Sequence, residues 1–313
     1  MVYSIADFAK SLVADNCKIQ NRPDLIFLCG GPVSKTGAFL SARDFFNRYL
    51  LREKPAWARR IKLAEDISAW FQKDDAFADL LQLENYLAYL AAVTVLFVES
   101  PGSIAELGAF AASDALRPKT LAVLNTVYGS DKSFIADGPV RRIKDENEEH
   151  VQYYNWNPRR PNSTDAKEEF RAIAQALTAF LEKGDAEREK QHSFDTKQPS
   201  HTLLLVADLV RIAGVASKSD IAACLEALGC ESAREALDQH LSILQSVEFI
   251  EKRLRSNQTF YVRYSSTAFI RYAYREDALL KDAKRIQTAV RQSLDLMKKA
   301  VLRKLLARED SNA

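Results

Sequence analysis

The sequence predicts an α/β protein, a doubly wound parallel sheet followed by a smaller, mostly helical domain of winged-helix-like layout. Three observations carry this prediction. Short apolar runs alternate with helix-period segments through the first half, a polar stretch interrupts the pattern near residue 190, and three helical segments with a small hairpin follow. A chain of 313 residues that is 47% hydrophobic is long enough for two cores and too apolar to remain disordered.

The elements follow in order. Leu25 to Cys29 reads as a strand, Gly37 to Arg52 as a helix and Ile61 to Leu63 as a strand. Asp74 to Ala91 then reads as a helix, Val93 to Val98 as a strand, Ser103 to Ala115 as a helix and Thr120 to Leu124 as a strand. A strand at Val151 to Tyr154 and a helix from Ala166 to Glu182 complete the first domain, placed at 1–184. The charged stretch 185–199, ending near Pro199, reads as a linker. In the remaining domain, 200–313, helices are expected at His201 to Ala213, Ser219 to Leu228 and Ser232 to Gln245. A hairpin of Phe249 to Leu254 and Thr259 to Tyr264 turns at Ser256-Asn257, and a long basic helix from Glu276 to Arg308 closes the chain.

Several classes are excluded. The apolar run at Leu90 to Val98 is about half of the roughly 20 residues a spanning helix needs, so no membrane segment is expected. The start, Met1 to Lys10, lacks a secretory pattern, which points to a cytoplasmic protein. Cys17, Cys29, Cys224 and Cys230 lack the spacing of a zinc or disulfide framework, so no metal is expected. The formal net charge is +2, but 251–308 holds fifteen Lys/Arg against five Asp/Glu. That asymmetry fits a polyanionic partner, or a solvated helix face.

In open parallel sheets, ligands sit beyond the carboxyl ends of the strands. After the first strand comes Cys29-Gly30-Gly31-Pro32, whose glycines allow close approach of backbone to a phosphate or sugar, or simply make a tight turn. After the second come Glu65 and Asp66, able to hold ribose hydroxyls or to cap a helix. After Val98 the chain reads Glu99-Ser100-Pro101-Gly102-Ser103-Ile104-Ala105-Glu106. Ser103 and Glu106 fit a capping box. Alternatively Glu106, at the first turn of a helix whose dipole favours the anion, attacks the anomeric carbon of a sugar or stabilises an oxocarbenium-like state. Glu84 is turned partly inward on its helix, Asn85 could orient a sugar or a carboxylate, and Arg141 could bind a phosphate or pair with a surface acid.

Four blocks of this sequence resemble a known family. They are Ile26-Phe27-Leu28-Cys29-Gly30-Gly31, Leu83-Glu84-Asn85, the run from Val98 through Glu106 to Phe110, and Ser133-Phe134-Ile135 with Gly138-Pro139-Val140-Arg141. In order and spacing they resemble effector subunits of bacterial retrons, whose first domain is nucleoside deoxyribosyltransferase-like. The resemblance implies an antiphage toxin that assembles with a retron reverse transcriptase and its RNA-linked single-stranded DNA, as a homo-oligomer or larger assembly. It also implies that Glu106 is the nucleophile. Gly30, Gly31, Glu65, Glu84, Asn85, Ser100, Gly102, Ser103 and Arg141 are the candidate substrate-binding residues. The transferases carry an Asp two residues before the Gly of this turn, where this chain has Ser100. With Glu99 taking over the acidic role, beside Asp66, cleavage is expected rather than base exchange.

NAD is the expected substrate, with no cofactor required. Nicotinamide leaves a cationic ring as a neutral molecule and needs no general acid, whereas a purine needs a proton from a residue such as Glu65, Asp66 or Glu84. In the basic segment, Lys252, Arg253, Arg255, Arg263 and Arg271 are the candidate nucleic-acid contacts, interleaved with Phe260, Tyr261, Tyr264, Tyr272 and Tyr274. The competing class is a nucleotide sensor that governs a DNA-binding domain without turnover.

Overall fold

The computed structural model describes residues 3–34, 36–66, 75–129, 132–157, 164–187, 191–255 and 257–296. The chain divides into two units, one of Pro23–Gln72 and Leu80–Arg188, the other of Met1–Arg22, Lys73–Asp79 and Glu189–Ala313. Among the described residues no helix is long and apolar enough to cross a membrane.

The first unit is a five-stranded, all-parallel sheet. Its strands are β1 (Ile26–Cys29), β2 (Ile61–Leu63), β3 (Val93–Val98), β4 (Thr120–Asn125) and β5 (Val151–Tyr154), in the spatial order β2-β1-β3-β4-β5. β1 and β4 are buried along their whole length and β3 everywhere but at Val93, as a sheet covered on both faces requires. Alternation along β1 divides the layers. Ile26 and Leu28 join a core with Phe45, Phe46 and Leu50 of helix α1 (Ala42–Glu53) and with Phe170, Ile173 and Leu177 of a helix at Thr164–Glu187. Phe27 turns the other way and meets Phe110, ring centroids 6.4 Å apart.

Two further helices reach the crevice described below, α2 (Leu80–Leu90) and α3 (Pro101–Ala112). Because the order reverses between β1 and β3, that pair of strand ends is the topological switch point, where such sheets open a crevice for ligands.

The second unit pairs a three-stranded antiparallel sheet with helices. Strands β6 (Val215–Ser217), β7 (Ile250–Arg255) and β8 (Gln258–Arg263) lie in the order β6-β8-β7. Helices at Pro199–Ala213, Lys218–Ala227, Glu231–Glu235 and Leu237–Ser246 precede the hairpin. The expected single helix from Ser232 is broken at Ala236, whose backbone leaves helical geometry. The hairpin turn includes Asn257 at φ 60°, a left-handed position that Asn tolerates.

Three expectations change. Residues before Arg22 fall in the second unit, because Lys18–Ile19 pairs with both His192–Ser193 and Ile270–Arg271. The same pairing overturns a plain linker at 185–199, since His192–Ser193 is a strand and Phe194 is buried. The closing helix begins at Ala283 rather than Glu276 and is described to Leu296; its expected continuation to Arg308 lies outside the described residues, as do 67–74 of the region before α2.

Candidate active site

The crevice at the β1 and β3 ends is built on an acid that faces inward. Glu99, leaving β3, accepts N–H bonds from Gly31 (3.2 Å) and Arg43 (3.0 Å) on Oε1 and from Ala42 (2.9 Å) on Oε2. It therefore caps α1 from another strand and ties the Gly-Gly turn to it. Burial raises its pKa in spite of those three donors. Glu99, expected to take over the acidic role of the transferases' Asp, holds the backbone of the Gly-Gly turn and of the α1 start with both of its oxygens.

The glycines have a packing reason. Gly30 sits at φ 141°, and a Cβ there would lie 2.8 Å from Phe97 Cβ and its carbonyl oxygen. A Cβ on Gly31 would lie 2.8 Å from Ser41 Cβ and 2.9 Å from Glu99 Oε1. Since the Gly31 N–H already donates to Glu99, it is not free for a phosphate.

The next turn also differs from the capping-box expectation. Ser100, not Ser103, is the N-cap: its hydroxyl accepts from the Ser103 N–H, and the buried Ser103 hydroxyl accepts from the N–H groups of Glu99 (3.0 Å) and Ser100 (2.9 Å). Glu106 consequently stands in the second turn of α3, beyond the strongest reach of the helix dipole. Gly102 is exposed in the first turn.

Glu106 is half-buried, and its Oε2 is shut off from solvent without a hydrogen-bond partner. Burial, with a second push from the charge of Glu84, raises its carboxyl to about 7, against the pull of Arg43. Glu84 on α2 is likewise half-buried and raised, first by burial and then by Glu65. Asn85 beside it is half-buried. Cys29 ends β1 in the same cluster; burial and then the charges of Glu106 and Glu84 push its thiol far above the usual range, which leaves it protonated and inert.

The residue that sequence reasoning missed is Arg43. Its buried guanidinium donates to the carbonyls of Leu28 (2.8 Å) and Gly31 (3.0 Å) and, through both terminal nitrogens, to Glu65 (2.7 Å each). Burial opposes the charge of both partners, but the fork prevails: Arg43 is raised and Glu65 lowered. One signal was available, a basic residue in the first turn of a helix that follows a Gly-Gly turn, where a cation disfavours the dipole unless an acid compensates it.

Other expected site residues lie apart from this cluster's contacts. Asp66 is exposed. Arg141 is exposed and pairs with Asp145 at 3.8 Å, the surface alternative. A cleft of about 480 Å³ lies between α1 and the Thr164–Glu187 helix, lined by Phe39, Tyr49, Arg52 and Arg171 among others. None of Glu65, Glu84, Glu99 and Glu106 lines it, so the perturbed carboxyls locate the candidate site elsewhere.

In the second unit, Lys252 and Arg255 are exposed on β7, while Arg253 pairs with Glu251 (2.8 Å). Arg263 is half-buried opposite Ile250, and Arg271 is exposed opposite Lys18. Tyr261 is in the core and the Tyr272 hydroxyl donates to Asp208, so these two rings are not stacking surfaces; Tyr264 is exposed.

With both units described, the similarity to known proteins falls into place. The STM3845 retron effector protein model matches residues 40–252, two thirds of the chain and parts of both units. The chain belongs to that retron effector family. Over 126 residues this effector is 36% identical to the retron Ec86 protein of Escherichia coli, provisionally named a ribosyltransferase/DNA-binding protein. That match spans 40% of this chain and 39% of the relative, so the chain matches about two fifths of the Ec86 protein's length. The retron Ec73 protein of Escherichia coli, under the same provisional name, is 26% identical over 264 residues, 80% of each chain.

Proposed function

We propose that this retron effector cleaves the N-glycosidic bond of a nucleotide, with Glu106 as the nucleophile or charge stabiliser at the anomeric carbon and NAD as the first substrate to test. The observation that carries the reading is a carboxyl at a sheet switch point, buried and without a hydrogen-bond donor on one oxygen, in a cluster with Glu84, Glu65 and Arg43. Its raised value of about 7 makes it roughly half ionised at neutral pH. In the covalent course, a C1′–O ester to Glu106 forms as the C1′–N bond breaks, the base keeps the bonding pair, and water then hydrolyses the ester. Nicotinamide leaves neutral without a proton donor.

A second substrate reading has its own support. Glu84 has a raised carboxyl, so the cluster offers a proton that an ordinary purine or pyrimidine needs as it departs. Control by a reverse transcriptase with its RNA-linked DNA is part of the proposal, as is an antiphage toxin role. Helix, strand, three helices and a hairpin follow one another in the second unit, a succession like that of a winged helix, which supports nucleic-acid contact through Lys252 and Arg255. The sheet order supports the likeness to nucleoside deoxyribosyltransferases, and the relatives' provisional names agree with both halves of the reading.

The test is chromatographic detection of released base from NAD and from purine nucleotides, by wild type and Glu106→Gln, alone and with the reverse transcriptase complex. Nicotinamide release that disappears in the variant supports the NAD reading. Release of purine alone transfers the proposal to the base-protonating reaction, and no release from any nucleotide by folded, assembled protein sinks it.

A further inference from the structure

Four groups in the first unit share one electrostatic neighbourhood: the cation Arg43 and the carboxyls of Glu65, Glu84 and Glu106. Arg43 stands at its mechanical centre. From the second residue of α1 its side chain grips the end of β1 at the Leu28 carbonyl, the turn at the Gly31 carbonyl and the exit of β2 at Glu65, while its own N–H reaches Glu99 at the exit of β3. One residue thus touches three strand exits of the crevice. Its Nε is buried and makes no hydrogen bond.

We infer that Arg43 is the positioning residue of this site, a rigid fork that fixes the Gly30-Gly31 turn against β2 and keeps a positive charge in the cluster that holds Glu106. The inference rests on the reading of Glu106 as the reacting group. Lysine would supply the charge but not the fork, because a point charge on a flexible stem cannot hold two carbonyls and both carboxylate oxygens at once. Glu65 opposes Arg43 electrically while completing its hydrogen bonds. Arg43 draws Glu106 toward the anion, and Glu65 pushes it toward the acid. Substitutions at the two partners of one ion pair should therefore move Glu106 in opposite directions, whereas loss of a merely structural bridge would disturb it in the same way from either side.

The experiment is a titration of the Glu106 carboxyl in the full chain, using glutamate carrying ¹³C at Cδ, with Glu106→Gln to assign the signal. Arg43→Met should raise the titration midpoint by about one pH unit and Glu65→Gln should lower it by about half a unit. Arg43→Lys should return the midpoint toward wild type but not the rate of base release, and the acidic limb of the pH–rate profile should move with each midpoint. Shifts of one sign in both variants, or no shift in Glu65→Gln, overturn the inference. If Arg43→Met does not fold, Arg43→Lys and Glu65→Gln still decide it. Opposite shifts in a protein whose base release is unaffected by Glu106→Gln would uphold Arg43 as the organiser of the cluster and sink the catalytic reading of Glu106.

Discussion

Two clusters, one in each unit, treat buried charge in opposite ways. In the second, the carboxylate of Asp208 is fully buried and accepts from Arg211 (2.8 and 3.2 Å), from the N–H groups of Phe269 and Ile270 (3.1 Å each) and from the Tyr272 hydroxyl (3.1 Å). In the first, Glu106 has an oxygen without a donor and Arg43 a nitrogen without an acceptor, both cut off from water. A satisfied network fixes backbone, here the segment 269–272 against the Pro199–Ala213 helix. Unsatisfied groups cost stability and persist where a ligand or reaction uses them.

The largest expected effects test that contrast on stability. Asp208→Ala leaves Arg211 buried without its counter-charge and three further donors without an acceptor, and should destabilise the fold by about 3–5 kcal/mol in denaturant titrations. Glu106→Gln should do the reverse at pH 8. With its folded carboxyl at about 7 and the ordinary value at 4.5, the native state holds the extra proton between them, so stability falls as pH rises through that window and stays low above it. Removing the ionisable group relieves a penalty of about 1–3 kcal/mol, less than the shift alone implies because the carboxyl is partly exposed. Destabilisation by Glu106→Gln at pH 8 would erase the distinction between the two clusters.

A smaller effect sharpens the contrast through pH. His201 and His240 in the second unit are both depressed to about 4, chiefly by burial. The His240 Nδ1 lies 2.7 Å from the Ala236 carbonyl, an acceptor only, so that nitrogen carries the hydrogen. These neutral rings contribute stability that is complete above the ordinary value of 6.5 and is lost as pH falls through 4. Between pH 4.5 and 6.5 the two histidines and Glu106 therefore pull the stability curve with opposite slopes. His240→Gln should flatten the acid side of the melting profile and leave the Glu106 contribution above pH 6.5 in place, measured by calorimetry across pH.

How much of this was legible in the sequence follows the same division between periodic and non-local causes. Strands Ile61–Leu63, Val93–Val98 and Val151–Tyr154 have the bounds expected from the sequence, and Val93–Val98, buried beyond its first residue, is the nearly continuous apolar run that a strand covered on both faces shows. Glu106 and the Gly30-Gly31 turn were also legible as features of strand exits. The roles of Arg43 and Glu99 were not, because each is defined by partners 22 and 57 residues away that only the parallel sheet brings together. The N-cap was misassigned by three residues because Ser100 and Ser103 are both competent caps, and Pro101 at the first helical position should have decided for Ser100. The pairing of Lys18–Ile19 left no trace either, since a two-residue strand has no period to detect.

The smallest stability effect should accompany a clear functional one. Lys252 and Arg255 project from β7 into solvent, unlike Arg253, which Glu251 engages. Lys252→Glu with Arg255→Glu should leave the melting temperature nearly unchanged, as surface substitutions away from buried networks shift stability by about 0.5 kcal/mol or less. If the hairpin contacts phosphates, the pair should weaken binding to the reverse transcriptase's DNA-RNA and flatten the plot of log affinity against log salt by about one per lost contact. Reversal at Arg253 should do less, because its charge is already balanced within the hairpin. Equal losses from Arg253 and from the exposed pair would mean that net charge alone attracts the polyanion, and would detach nucleic-acid contact from the geometry of the hairpin.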